Sequence, residues 1–180
     1  MPLWNKLARR LGLEAQLTNI AGGNPAPQFS LKSLDGKSYS LDSLLSRGPV
    51  VVAFFKISCP VCQFTFPFLQ RIYERFAGNN ISVIGVSQDD ASSTKRFNDE
   101  YGVKFPTLLD GAGYPASNAY GLTSVPTIFL ILPDGTVKVT CMGFDKAGLE
   151  EIAAKLSEHQ KIAAAPVFQP GETVPAYRPG

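Results

Sequence analysis

The sequence predicts an α/β fold: a mixed central sheet with helices on both faces, entered through an N-terminal β-hairpin. Three observations carry this. Residues 50–57, VVVAFFKI, form a near-continuous apolar run rich in β-branched and aromatic side chains, the pattern of a strand buried on both faces. A helical pattern follows it directly, and the alternation of strand and helix is repeated downstream. The last two strands flank a Pro133-Asp134-Gly135 turn, a hairpin signal that adds antiparallel strands to the same sheet.

Each element has its own local reason. Leu3, Trp4, Leu7 and Leu11 share one side of a helix, with Lys6, Arg9 and Arg10 mostly on the other. Residues 1–20 thus form an amphipathic segment, which either packs on the domain or contacts a partner or an anionic lipid surface through residues 3–11. AGGNPAP at 21–27 is a turn-rich linker, and Asp35-Gly36 joins two short alternating runs into a hairpin. After the buried strand, Phe64, Phe68, Ile72 and Phe76 recur every four residues, with Leu69 beside them. ISVIGVS at 81–87 is a second buried strand, SSTKRFNDEYG a helix ending near Gly102, and FPTLLD at 105–110 a short extended segment. TIFLIL begins the closing hairpin, and Leu149, Ile152, Ala153 and Leu156 mark a last helix over 145–158. The main domain is read as residues 21–160. Residues 161–180, with four prolines from Ala163 onward and little periodicity, are expected to lie extended on the surface or to be mobile.

Composition narrows the function. With 44% hydrophobic and 18% charged residues the 180-residue chain is core-forming, so a disordered protein is excluded. The formal net charge is +2, and residues 1–20 supply it, since the rest of the chain carries equal numbers of acidic and basic side chains. No basic face for nucleic acid follows. No apolar run reaches the roughly 18 residues of a membrane-spanning helix. The N-terminus shows no apolar core with a cleavage site behind it, so a cytoplasmic location is expected, where a C-x-x-C pair is more often catalytic or metal-binding than structural.

That pair is Cys59 and Cys62, in the motif C-P-V-C at the junction of buried strand and helix. Cys59 falls at or next to the helix N-cap, where unpaired N–H groups and the positive end of the helix dipole favour an anion such as a thiolate. Pro60 suits a first helical turn, which has no use for its missing N–H. Cys62 lies within reach of Cys59 but deeper, so that one sulfur attacks a disulfide and the other resolves the mixed disulfide. Lys56 is a candidate source of nearby positive charge, and Pro60 and Val61 are the modulating residues between the sulfurs. A zinc site made of Cys59, Cys62, Cys141 and His159 competes, but it lacks a second tight ligand pair. A merely structural dithiol competes as well. Asp89-Asp90 reads as a helix cap and solvated surface, and Cys141 as a small buried strand residue.

The stretch AFFKISCPVCQFTFPFL resembles the active-site strand, C-x-x-C and kinked helix of thioredoxin-like proteins, with Pro67 at the usual kink. Val125-Pro126-Thr127 is similar to that family's cis-proline loop. APQFSLKSLDGKSYSLDSLLSRGPVVVAFF resembles the redoxin branch shared by TlpA-like thiol–disulfide oxidoreductases and peroxiredoxins. The resemblance spans about residues 25–158 and implies a thioredoxin fold, with Pro126 against the disulfide and Val125 presenting its backbone to an extended substrate. It also raises export as the alternative location.

Departures choose the branch. A peroxiredoxin needs Pro and Thr or Ser where this chain has Val52 and Lys56, and an arginine is missing ahead of the late strand. The buried Asp of many thioredoxins is Ala53 here, and the Glu frequent in TlpA-like enzymes is Thr65. The expected function is therefore a thiol–disulfide oxidoreductase that exchanges with protein thiols or disulfides and a redox partner. It calls for no metal or organic cofactor. A thiol peroxidase is the runner-up, and an adaptor with a vestigial dithiol the non-enzymatic alternative.

Overall fold

A computed structural model describes residues 20–76 and 78–180; the expected N-terminal helix lies outside them. The chain begins with the hairpin β1 (Ser30–Ser33) and β2 (Ser38–Ser40), followed by the short helix α1 (Leu41–Leu45). Next come β3 (Val50–Phe55), α2 (Pro60–Phe76), β4 (Ser82–Ser87), α3 (Ala91–Tyr101), β5 (Thr107–Leu109) and α4 (Pro115–Ala119). The hairpin β6 (Thr127–Ile131) and β7 (Val137–Met142), β8 (Phe144–Asp145), α5 (Lys146–Gln160) and β9 (Tyr177–Arg178) complete it. Seven strands make one mixed sheet in the order β2-β1-β5-β4-β3-β6-β7, with β3, β4 and β5 parallel and the rest antiparallel.

All six residues of β3 are buried, because the strand has a partner on each edge and a core on each face. Val51, Ala53 and Phe55 meet side chains of α2, α3 and α5, including Phe66, Phe97 and Ile152. Val50, Val52 and Phe54 meet Leu41 and Leu44 of α1, Ala116 of α4 and Tyr120. Each such large side chain contributes roughly 1.5–3 kcal/mol when fully buried. The expected hairpins at Asp35-Gly36 and Pro133-Asp134-Gly135 are both present, and Asp90 caps α3 by accepting from the Ser93 N–H at 2.9 Å.

Two short helices escape the periodicity reading. In α1, the Ser40 side chain accepts from the Ser43 N–H at the N-cap. In α4, the buried Asp110 carboxylate accepts from the Ala116 and Ser117 N–H groups at 2.8 and 2.9 Å. Five residues are too few to show a 3.6-residue period.

The tail departs further from expectation. It runs extended, but it is not a bystander: Val167 and Phe168 are buried, and the Phe168 ring lies 4.8 Å from that of Phe68. Charged side chains of the domain pin its backbone. Arg71 donates to the Val167 carbonyl at 3.2 Å and to both carboxylate oxygens of Glu172 at 2.8 and 2.6 Å. Glu150 accepts from the Val167 N–H at 3.1 Å, and Arg75 donates to the carbonyls of Ala163 and Ala165. The tail then returns to the sheet end, where β9 pairs antiparallel with β8.

Hydrogen bonding from Arg71, helped by the Gln169 N–H, holds the Glu172 carboxyl down at about 2, against an ordinary 4.5. A depressed carboxyl stabilises its bound state above the ordinary value and loses that contribution as pH falls through the depressed one. Amide exchange at Val167 and Phe168 is therefore expected to quicken, relative to core amides, on going from pH 5 to pH 2. Glu172→Gln should remove most of that difference. Arg71→Ala should raise exchange in the tail about tenfold at pH 7 with the sheet amides unchanged.

Candidate active site

The register of the sheet brings four segments to one edge. Phe55, the last residue of β3, pairs with Ser87, the last of β4, while Phe54 pairs with Thr127, the first of β6, which in turn faces Met142 at the end of β7. Residues 56–59, 88–90, 125–126 and 143 consequently leave the sheet together. The loop out of β3 is held at Ile57 from both sides: its N–H donates to Asp89 Oδ2 at 2.8 Å, and its carbonyl accepts from Gln63 Nε2 at 2.9 Å. Sequence reasoning put Asp89 on the solvated surface; it is half-buried and fastens this loop. Its position directly after a buried strand was the available signal.

Cys59 immediately precedes α2, and Pro60 is the first helical residue. Cys59 is half-buried, whereas Cys62 is fully buried. Two contacts orient the outer sulfur. Cys59 Sγ accepts from the Cys62 N–H at 3.3 Å, one of the free donors at the helix start, and its thiol donates to the Val125 carbonyl at 3.2 Å. Loss of the proton would leave the N–H···S bond, now charge-assisted, and open the sulfur's other side to a substrate. Burial, above all, pushes the Cys62 thiol up, with smaller contributions from Cys59 and Asp89. The two sulfurs thus have different surroundings although they sit one helical turn apart.

The Val125–Pro126 peptide is cis, as the resemblance implied, with Pro126 buried and Val125 half-buried. The Pro126 carbonyl accepts from the Gly143 N–H at 2.7 Å, which ties the loop to the end of β7. Pro60 is exposed and Val61 packs against the core, so the residues between the sulfurs add no charge. Lys56 is exposed; its carbonyl accepts from the Cys59 N–H at 3.1 Å, while its side chain makes no hydrogen bond or ion pair among the described residues. Neither of the two expected positions carries an acid: Ala53 is fully buried, and Thr65 spends its hydroxyl on the Val61 carbonyl at 2.6 Å; the carboxylate whose charge reaches Cys62 is Asp89.

The zinc arrangement is not assembled. Cys141 lies in β7 directly under Gly148, where a Cβ would strike its sulfur, and burial pushes its thiol up to about 12. His159 stands exposed eleven residues further along α5, about 16 Å at 1.5 Å per residue. Among the described residues no three His, Cys, Asp or Glu side chains converge on a metal position, and no helix is long and apolar enough to cross a membrane.

Residues 22–140 match the AhpC/TSA family. Over 133 residues the chain is 31% identical to the thiol-disulfide oxidoreductase ResA of Bacillus thuringiensis (strain Al Hakam), covering 73% of this chain and 76% of that protein. It is 33% identical to ResA of Halalkalibacterium halodurans over 131 residues, 72% and 73% of the two chains. Among solved structures, a thiol:disulfide interchange protein of the thioredoxin family from Chlorobium tepidum TLS superposes with a TM-score of 0.63 at 26% identity, over 77% of this chain and 99% of that one. The fold is a thioredoxin fold and the class that of thiol–disulfide oxidoreductases. The chain belongs to the AhpC/TSA family, on its redoxin branch of thioredoxin-like proteins.

The unequal exposure of the three thiols has a direct consequence. Alkylation of the reduced, folded protein at pH 7–8 should modify Cys59 first, with Cys62 and Cys141 at least a hundredfold slower; peptide mapping after timed quenching checks it.

Proposed function

We propose that Cys59 is the attacking thiol and Cys62 the resolving thiol of an exchange with protein disulfides, with Val125 and Pro126 forming the shelf on which the substrate chain lies. The observation that supports this most is the pairing of an accessible Cys59 sulfur with a buried Cys62 one turn away, faced by a backbone carbonyl at 3.2 Å.

The steps balance within the dithiol and its substrate. The Cys59 thiolate attacks one sulfur of the substrate disulfide; that S–S bond breaks, a mixed disulfide forms, and the electron pair leaves on the other substrate sulfur. Cys62 then loses its proton and attacks Cys59 Sγ, so that the second substrate thiol departs and a Cys59–Cys62 disulfide remains. The substrate gains two electrons and the enzyme loses two, which a redox partner carrying a dithiol restores. With Ala53 and Thr65 at the two positions where the resemblance would place an acid, two acceptors remain for the Cys62 proton: the substrate's leaving thiolate from the first step, and the Asp89 carboxylate, whose charge reaches Cys62.

Peroxide reduction is the weaker reading on the same observation. A peroxidase stabilises charge on the leaving oxygen with donors placed around the thiolate. Here the group facing Cys59 from the loop is an acceptor, Val52 is sealed inside β3, and Lys56 points its charge at solvent.

Cys62→Ser should accumulate a mixed disulfide on Cys59 when mixed with a disulfide-containing protein such as insulin, while Cys59→Ser should trap none and lose turnover by at least a thousandfold. Mass spectrometry of quenched samples reads both, and a substrate trapped on Cys62 would overturn the assignment. Hydrogen peroxide should oxidise Cys59 at about the rate of a small free thiol, measured by stopped flow.

A further inference from the structure

We propose that the segment Tyr177–Gly180 is a strap laid along the substrate shelf, and that it sets the specificity of the site: a small disulfide reaches Cys59 past it, whereas a protein disulfide must displace it. This rests on the reading of Cys59 and Val125 given above.

The strap touches both walls of the site. At one end the Arg178 guanidinium lies 4.2 Å from the centre of the Phe64 ring, and Phe64 is only two residues beyond Cys62 on α2. At the other end Gly180 packs on the carbonyl of Val125, so closely that a Cβ there would collide with it. That carbonyl is the group that receives the Cys59 thiol. Between these ends the backbone crosses Gly143, where again no Cβ would fit beneath the Arg178 carbonyl, and Gly143 donates to Pro126. The strap therefore spans from the helix bearing the dithiol to the loop facing it.

Its manner of attachment suits displacement. Tyr177–Arg178 pairs with only two residues, Phe144 and Asp145, extended by one bond from the Lys146 N–H to the Ala176 carbonyl at 3.0 Å. Residues 176–180 are all exposed, so the strap buries no side chain of its own. Five to ten residues before the strap the chain is anchored firmly, with Val167 and Phe168 in the core and Glu172 clamped by Arg71. Release of the strap leaves the fold intact and keeps the strap tethered beside the site, ready to return. An incoming extended peptide that aligns with the Val125 backbone needs the space Gly180 holds, and pairing a strand to the β8 edge needs the groups β9 uses. A compact disulfide needs neither.

Removal of residues 177–180 tests this, alongside two variants that keep the full chain. In Gly180→Val the new side chain clashes with the Val125 carbonyl and pushes the strap off. Arg178→Ala removes the stacking on Phe64. For each, the second-order rate of reduction of insulin disulfides is compared with that of oxidised glutathione. Removal and Gly180→Val should speed insulin reduction at least tenfold and Arg178→Ala about threefold, with the glutathione rate within twofold of the full chain. Unchanged or slower insulin reduction in both Gly180→Val and the shortened chain would overturn the strap while leaving the exchange chemistry standing. A parallel rise of both rates would also overturn it, since the strap would then shield Cys59 without selecting. Insulin reduction without glutathione reduction in the full chain would overturn the strap alone, and absence of both would overturn the exchange reading and the strap with it.

Discussion

The burial of β3 on both faces and both edges is the constraint from which the site follows. Six consecutive apolar residues can be satisfied only at the centre of a covered sheet, so the chain must leave that sheet at Phe55 and return through a helix to lay β4 parallel beside it. The exit loop and the start of α2 then lie at the sheet edge by necessity. Because β6 runs antiparallel to β3 and enters opposite Phe54, the residues before it, Val125 and Pro126, emerge at that same edge. The meeting of Cys59 with the Val125 carbonyl, across 66 positions of sequence, is set by strand register.

At that edge one turn of helix creates two different thiols from one residue type. The outer sulfur receives a helix-start N–H and is only half-buried; the inner one lies within the core, where burial pushes its thiol up. An accessible outer sulfur and a buried inner one fit the sequential exchange proposed above, in which Cys59 engages before Cys62. No carboxylate stands at position 53 or 65; the acid whose charge reaches Cys62 is Asp89, on the loop after β4.

The parts legible in the sequence are those written in local pattern. β3 and the C-x-x-C at its end, the two Gly-containing hairpin turns, the long helices and the cap at Asp90 all declare themselves within a few residues. The cis peptide at Pro126 was legible only through family likeness. What stayed hidden depends on distant partners. The tail offers four prolines and no period, and its attachment comes from Arg71, about a hundred residues away, and from Glu150 on the last helix. Glycines 143 and 180 look like ordinary turn residues until the structure shows which backbone crosses them. Asp89 was misplaced because two adjacent acids look alike in sequence, although one caps a helix and the other holds the loop before Cys59.

The proposed exchange requires Cys59 and Cys62 to form one two-electron couple, with Cys141 outside it. The direct measurement is to equilibrate the folded protein with oxidised and reduced glutathione, quench in acid, and map disulfides and free thiols by mass spectrometry. A single Cys59–Cys62 disulfide is expected to form and disappear with a two-electron dependence, while Cys141 stays a free thiol throughout. A disulfide involving Cys141, or a Cys59 that only accumulates glutathione without passing it on to a bond with Cys62, would contradict it.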